Sequence, residues 1–271
     1  MMCNTDIDLT GQTAIVTGAS RGIGEAAARR LAAAGANLVL LARSGAAIEA
    51  IAADIGPQAL ALQCDVADWP SVNRAISRAL DHFGRIDILV NNAGVIEPIN
   101  RIADADPEGW DRAVDINLKG VFHCTRAVLP TMKRAGRGTI INISSGAATS
   151  AHEGWSHYSA TKAAVLMFTA CVHKEEAANG IRCVGLSPGT VATDLQRQIR
   201  AAGLNPVSRL AWSDHIPADW AAEAICWLAS DAARVHDGGD FSIKTDAGRA
   251  AVGLPLLGAN SPSAPARGSG S

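Results

Sequence analysis

The chain has 271 residues, 48% of them hydrophobic, with 24 Lys and Arg against 26 Asp and Glu for a net charge of -2. That length carries one large α/β domain or two small ones, and the balanced charge argues against nucleic acid or an anionic membrane as partner. No apolar stretch approaches the roughly 18 residues of a spanning helix, and the opening MMCNTDIDLT lacks the basic start and apolar run of a secretory signal.

Apolar runs of strand length recur at Thr13–Thr17, Asn37–Leu41, Ala59–Gln63, Ile88–Asn91, Thr139–Ile143 and Arg182–Ser187, each followed by a helical pattern. Unbroken apolarity, without polar alternation, points to strands covered on both faces, as in a parallel sheet. The Ala-rich segment from Gly24 ends at Gly35, a helix stop. Strands alternating with helices predict right-handed crossovers and a Rossmann-like, doubly wound α/β sheet of about seven strands, with helices on both faces. One domain is expected over residues 1–257, with no repeat or linker. The Gly/Ser/Pro/Ala-rich stretch 258–271 is expected to be a disordered tail. The six cysteines (Cys3, Cys64, Cys124, Cys171, Cys183, Cys226) include no CxxC pair and no histidine at zinc spacing. They read as reduced thiols in a cytoplasmic protein with no metal site.

The first strand runs into Thr17-Gly18-Ala19-Ser20-Arg21-Gly22-Ile23-Gly24 and then a helix. Glycines there permit positive φ and a close backbone approach, and the helix N-terminus offers free N–H groups to a pyrophosphate. The spacing is G-x-x-x-G-x-G, so an ordinary tight turn is the competing reading. At the end of the second strand, Val39-Leu40-Leu41-Ala42-Arg43-Ser44 lacks the acid that would bond a ribose 2′-OH. Arg43, with Arg21 reaching from the glycine loop, would instead meet a 2′-phosphate, favouring NADP(H) over NAD(H).

Tyr158 and Lys162 are i and i+4 at the start of a helical stretch and share one face. A phenol is a poor acid–base group at neutral pH, and a neighbouring ammonium would lower its pKa. Ser144-Ser145 follow the strand Thr139–Ile143, at the carboxyl edge where open α/β sheets bind ligands.

Taken in order, TGASRGIG at 17–24, Asn91-Asn92-Ala93-Gly94, Asn117 in DINLKG, Ser145, Tyr158, Lys162 and Pro188-Gly189 through Thr193 resemble the short-chain dehydrogenase/reductase family over roughly residues 9–243. The resemblance implies an NADP(H)-dependent oxidoreductase acting on a carbonyl or secondary alcohol. Tyr158 would exchange the proton with the substrate oxygen, which Ser145 would hold; Ser145 is preferred over Ser144 because it lies thirteen residues before Tyr158. Lys162 would lower the Tyr158 pKa and bond the nicotinamide ribose, supported by Asn117 through a water. Gly18, Ser20, Arg21, Gly22, Ile23 and Gly24 would take the pyrophosphate, Arg43 the 2′-phosphate, and Asp65 and Val66 the adenine. Asn91, Ala93 and Gly94 would line the cofactor's middle, and Pro188, Gly189, Val191 and Thr193 its carboxamide. A small-molecule substrate and a homo-tetramer or dimer, packed through the helices around Asn117 and Tyr158, complete the expectation. The competing functions are a non-catalytic nucleotide-binding regulator and an NAD-dependent epimerase or dehydratase on a related fold.

The chain departs from the family pattern twice. Val184 stands where an asparagine is common, and the usual closing strand with Asp-Gly-Gly is replaced by Phe241-Ser242-Ile243-Lys244-Thr245-Asp246. Asp237-Gly238-Gly239 comes before that strand instead. His152, Trp155 and His157 read either as a solvated loop or as a wall of the substrate cleft. Trp212 and His215 lie in a loop of the kind that acts as a lid. Arg197, Arg200 and Arg209 make that region basic, which fits either an anionic substrate such as an acyl carrier thioester or an ordinary solvated helix. Asp115 and Lys119 fit a surface i,i+4 pair.

Overall fold

A computed structural model of the chain describes residues 7–257; the stretch expected to form a disordered tail, 258–271, lies outside the described residues. The chain order is β1 (Thr13–Thr17), α1 (Gly22–Ala33), β2 (Asn37–Ala42), α2 (Gly45–Ile55), β3 (Ala59–Gln63), α3 (Trp69–Phe83) and β4 (Ile88–Asn91). It continues with α4 (Pro107–Val114), α5 (Gly120–Ala135), β5 (Gly138–Ile143), α6 (Ser156–Glu176), β6 (Ile181–Ser187), α7 (Asp194–Ala202), α8 (Ala218–Ala229), β7 (Asp240–Ser242) and α9 (Asp246–Ala251). All strand pairs are parallel, in the order β3-β2-β1-β4-β5-β6-β7.

Successive strand residues serve two different cores, which is why the strands read as unbroken apolar runs. Ala14, Val16, Leu38 and Leu40 pack with Leu31 of α1 and with Ile225 and Leu228 of α8. Ile15, Val39 and Leu41 face the other way, onto Val72 and Ile76 of α3, Val128 and Met132 of α5 and Val172 of α6. Burial of each such side chain contributes about 1.5–3 kcal/mol. Local signals set the helix ends. In α3, the Asp68 carboxylate accepts from the Ser71 N–H at 3.0 Å, Pro70 occupies the first turn, and Gly84 at φ 72° closes the helix.

Because β1 lies between β2 and β4, the chain changes its direction of travel across the sheet there. A crevice opens at the carboxyl ends of those two strands. At the far edge β7 has only three residues, and the unusual closing sequence explains itself there. Asp237 accepts from the Arg182 Nε–H with both oxygens, at 3.0 and 2.9 Å, while Arg182 also donates to the Ser230 carbonyl. The Gly238 N–H reaches the Cys183 carbonyl and the Gly239 carbonyl takes the Gly185 N–H. Asp237-Gly238-Gly239 is therefore the clamp that leads into β7. Val184, in place of the family's asparagine, is wholly buried among apolar side chains.

Candidate active site

The crevice is built first by a latch between the ends of β1 and β4. The Thr17 hydroxyl accepts the Asn92 and Ala93 N–H groups at 2.9 and 3.0 Å, and the Asn92 amide donates to the Thr17 and Gly18 carbonyls. Glycine is required on both sides of this latch. A Cβ on Gly18, at φ +63°, would lie 2.9 Å from the Ala93 Cα, and one on Gly24 would lie 2.3 Å from the Gly18 oxygen. Arg21, the residue before α1, makes no side-chain cap, so its side chain satisfies none of the first-turn N–H groups.

One cleft of about 1320 Å³ is lined by Gly18, Ser20, Arg21, Gly22, Ile23, Arg43, Asp65, Val66, Ala93, Gly94, Ser145, Tyr158, Lys162, Pro188, Gly189, Val191 and Thr193. Residues from most of the chain length thus meet at one sheet edge. Three of the expected site residues stand behind the wall instead. Gly24 supports the glycine turn. The Asn91 side chain is buried, donating to the Asn142 amide oxygen at 2.8 Å and the Thr125 hydroxyl at 3.2 Å. The Asn91 side chain thus faces the core, and Asn92 lines the cleft there. Asn117 lies in a π-helical turn, Asp115–Lys119, between α4 and α5. It bridges the Val95 N–H at 2.8 Å and the Val95 carbonyl at 2.9 Å, bracing the loop after β4.

At the cleft floor the Ser145 hydroxyl takes the Ala147 N–H at 3.2 Å and shares a hydrogen bond with the half-buried Tyr158. The edge of Trp155 packs on the Tyr158 ring with centroids 5.8 Å apart. Lys162 is buried, its ammonium donating to the Ile143 carbonyl at 2.6 Å and lying 5.6 Å from the centre of the Tyr158 ring. Burial lowers the Lys162 pKa to about 8, against the opposing pull of the Asp240 charge. The Tyr158 phenol is held above its ordinary value by burial, which outweighs the Ser145 hydrogen bond. This differs from the expectation that Lys162 depresses it: the ammonium is turned to a backbone carbonyl rather than to the phenol.

A group not foreseen from the sequence flanks this floor at the exposed start of β7. Asp240, at the start of β7, accepts from the Ser144 hydroxyl at 3.1 Å, and that hydroxyl accepts the Ser145 N–H at 2.6 Å. Lost hydration raises the Asp240 carboxyl to about 6, offset in part by Ser144 and by the Lys162 charge. No motif signals this contact, because it joins residues 96 positions apart.

At the cleft mouth the exposed Arg21 is paired with Asp194 of α7 at 3.1 Å. Arg43 has no acid at ion-pair distance among the described residues. Arg197 also pairs with Asp194 and lies over Trp212. His152 and Trp155 line the cleft, whereas His157 does not. His157 is buried, donates through Nε2 to the Ile96 carbonyl at 2.7 Å, and has its pKa lowered by desolvation. The Asp115–Lys119 pair forms at 2.7 Å, as the spacing predicts.

A sequence model of the short chain dehydrogenases matches residues 12–203. The chain belongs to the short-chain dehydrogenase/reductase family. Among curated members, a 3-oxoacyl-[acyl-carrier-protein] reductase of Synechocystis is 40% identical over 84% of this chain and 93% of its own. The cis-4-hydroxycyclohexanecarboxylate dehydrogenase of Sinomonas cyclohexanicum is 38% identical over 89% of this chain and 97% of its own. Among solved structures, a 3-ketoacyl-(acyl-carrier-protein) reductase of Brucella melitensis complexed with NADH superposes with a TM-score of 0.80 at 32% identity, covering 87% of this chain and 98% of that one. As a short-chain dehydrogenase/reductase the protein is an oxidoreductase, and its parallel sheet of seven strands is the fold of these neighbours. No described helix is long and apolar enough to cross a membrane, and no metal-binding cluster occurs among the described residues.

Proposed function

We propose that the protein transfers a hydride between NADP(H) and a carbonyl or secondary alcohol, with Tyr158, Ser145, Lys162 and Asn117 as its working residues. The observation that carries this reading is the convergence of Ser145, Tyr158 and Lys162 at one end of a cleft whose other end is the glycine turn and Arg43. The residues fit such a cofactor. The turn keeps its close fit to the end of β4 only because Gly18 and Gly24 carry no Cβ, Arg21 leaves first-turn N–H groups of α1 uncapped for an anion, and Arg43 has no competing acid. When bound, the nicotinamide supplies or takes up the hydride.

In the reductive direction Ser145 holds the carbonyl oxygen and Tyr158 gives it a proton as the negative charge develops. Lys162 bonds the cofactor ribose and passes a replacement proton toward Tyr158, while Asn117 keeps the loop at Val95 and the start of α6 in register. Residues 1–257 act together as one catalytic domain. The same reading takes the protein to be cytoplasmic and a homo-oligomer. The exposed Phe122 of α5 and Met167 of α6 support a subunit contact through those helices.

The testing experiment is a titration of the purified protein with NADPH and NADH side by side, followed by a carbonyl panel read at 340 nm. NADPH is expected to bind at least about tenfold more tightly, the size of one charge-assisted contact. Arg43→Asp is expected to reverse that ratio; an unchanged ratio would show that Arg43 does not read a 2′-phosphate.

Asp240 sets a pH signature. Its negative charge supports the Lys162 ammonium, so Asp240→Asn lowers the Lys162 pKa further below about 8. The alkaline limb of kcat/KM for reduction, which follows loss of the Lys162 proton, should move to lower pH. Below about 6, where Asp240 is itself protonated, the two proteins should converge. Superimposable profiles across the whole range would mean that the charge does not reach Lys162.

A further inference from the structure

The cationic side chains lining the cleft are Arg21, Arg43, Lys162, Arg197, Lys244 and Arg249. Four of them are committed. Arg21 and Arg197 share Asp194, Lys162 donates to the Ile143 carbonyl, and Arg249 donates to the Ile243 and Pro255 carbonyls while stacking over Trp220. Arg43 and Lys244 have no acid at ion-pair distance among the described residues.

These two cations cannot serve one ligand group. Arg43 follows β2 and Lys244 follows β7, five places apart in the strand order. Five inter-strand spacings make that about 24 Å. Arg43 stands at the end read above as the site of the 2′-phosphate. Lys244 stands at the other end, and its course is fixed by two glycines. Its stem crosses Gly189, where an added Cβ would lie 3.0 Å from the Lys244 Cγ, and its Nζ reaches within 3.1 Å of the Cβ position of Gly146. Gly146 directly follows Ser145. The ammonium of this exposed residue therefore lies at the cleft wall next to Gly146, the residue after the serine that would hold the reacting oxygen, with no acid paired to it.

We infer that Lys244 is a specificity-determining residue that recognises a free carboxylate on the substrate, so that the preferred substrates are keto acids or hydroxy acids rather than uncharged ketones and alcohols. This rests on the reading of the cleft as a carbonyl-reducing site. A lone ammonium is a point charge without the fork that Arg offers a phosphate. It matches a monoanion, because Lys162, Arg197 and Arg249, which also line the cleft, are already engaged and leave no second free cation for a dianion.

The test is reduction of 4-oxopentanoate and 5-oxohexanoate against their methyl esters by NADPH, for the wild-type protein, Lys244→Met and Lys244→Arg. The wild type is expected to favour acid over ester by about tenfold or more in kcat/KM, as for a hydrogen bond to a charged group. Lys244→Met should collapse that ratio through KM for the acid, and Lys244→Arg should keep most of it. An unchanged ratio in Lys244→Met, or a wild-type enzyme indifferent to the charge, would overturn the assignment. Failure of the wild type to turn over acid and ester alike would defeat the reductase reading instead. In that case calorimetric binding of 4-oxopentanoate to the NADP+-saturated protein decides on Lys244: about tenfold weaker binding in Lys244→Met upholds it, and equal affinity overturns it.

Discussion

Tyr158→Phe is expected to reduce kcat by about 10²–10⁴-fold, the usual contribution of a positioned acid–base group, while leaving cofactor affinity within about twofold. The ring itself is held by packing, edge-on against Trp155, and phenylalanine keeps that contact. Ser145 retains the Ala147 N–H, so the cleft floor keeps its shape. Only the proton is removed, and no other phenol can replace it, since Tyr158 is the only tyrosine in the chain. Steady-state reduction at 340 nm and fluorescence titration with NADPH separate the two quantities; retained turnover would remove Tyr158 from the chemistry. The same uniqueness lets its ionisation be followed directly by absorbance at 295 nm. In the cofactor-free protein the midpoint should lie above the ordinary value of 10.0, because a buried phenolate loses hydration. A midpoint below that value would show that the Lys162 charge prevails over burial.

Arg182→Ala is expected to cost about 3–5 kcal/mol of stability, read as a shift in the urea midpoint. Arg182 and Asp237 side chains are only 5% and 9% exposed, so removing the guanidinium strands a carboxylate in a dry setting. Exposed pairs of the same chain, such as Arg234 with Asp231 at 60% and 83% exposure, should give well under 1 kcal/mol. The clamp also holds β7, whose first residue is Asp240. The variant should therefore lose activity at temperatures where most of the molecule is still folded. A stability change no larger than that of an exposed pair would mean that water reaches Asp237.

The order of elements was legible in the sequence because each depends on local chemistry. β1, β3 and β4 fall where their apolar runs begin and end, while β2, β5 and β6 each extend one residue beyond theirs. The glycine turn, Ser145, and the Tyr158–Lys162 pair were legible for a related reason. Their spacing along a turn or along one helix face is set by backbone geometry alone. Less was legible wherever a residue's meaning depends on a distant partner. Asn91 and Asn92 are neighbours of one type, and only the strand's orientation sends one into the core and the other to the cleft. The two arginines at Arg21 and Arg43 look equivalent until α7 brings Asp194 to one of them. Asp-Gly-Gly before β7 reads as a displaced ending, and becomes a clamp only when Arg182 of β6 lies beside it.

By itself, then, the sequence determined the parallel α/β architecture, the glycine turn and the helix-face pairing of Tyr158 with Lys162, because periodicity and short spacing encode them. The tertiary structure alone decided which charges are spent and which remain free. It turned Lys162 toward Ile143, joined Asp240 to the Ser144 hydroxyl, and laid Lys244 across Gly189 and Gly146. Those contacts are made across the sheet edge, where parallel strands bring together residues far apart in the chain, and no local pattern records them.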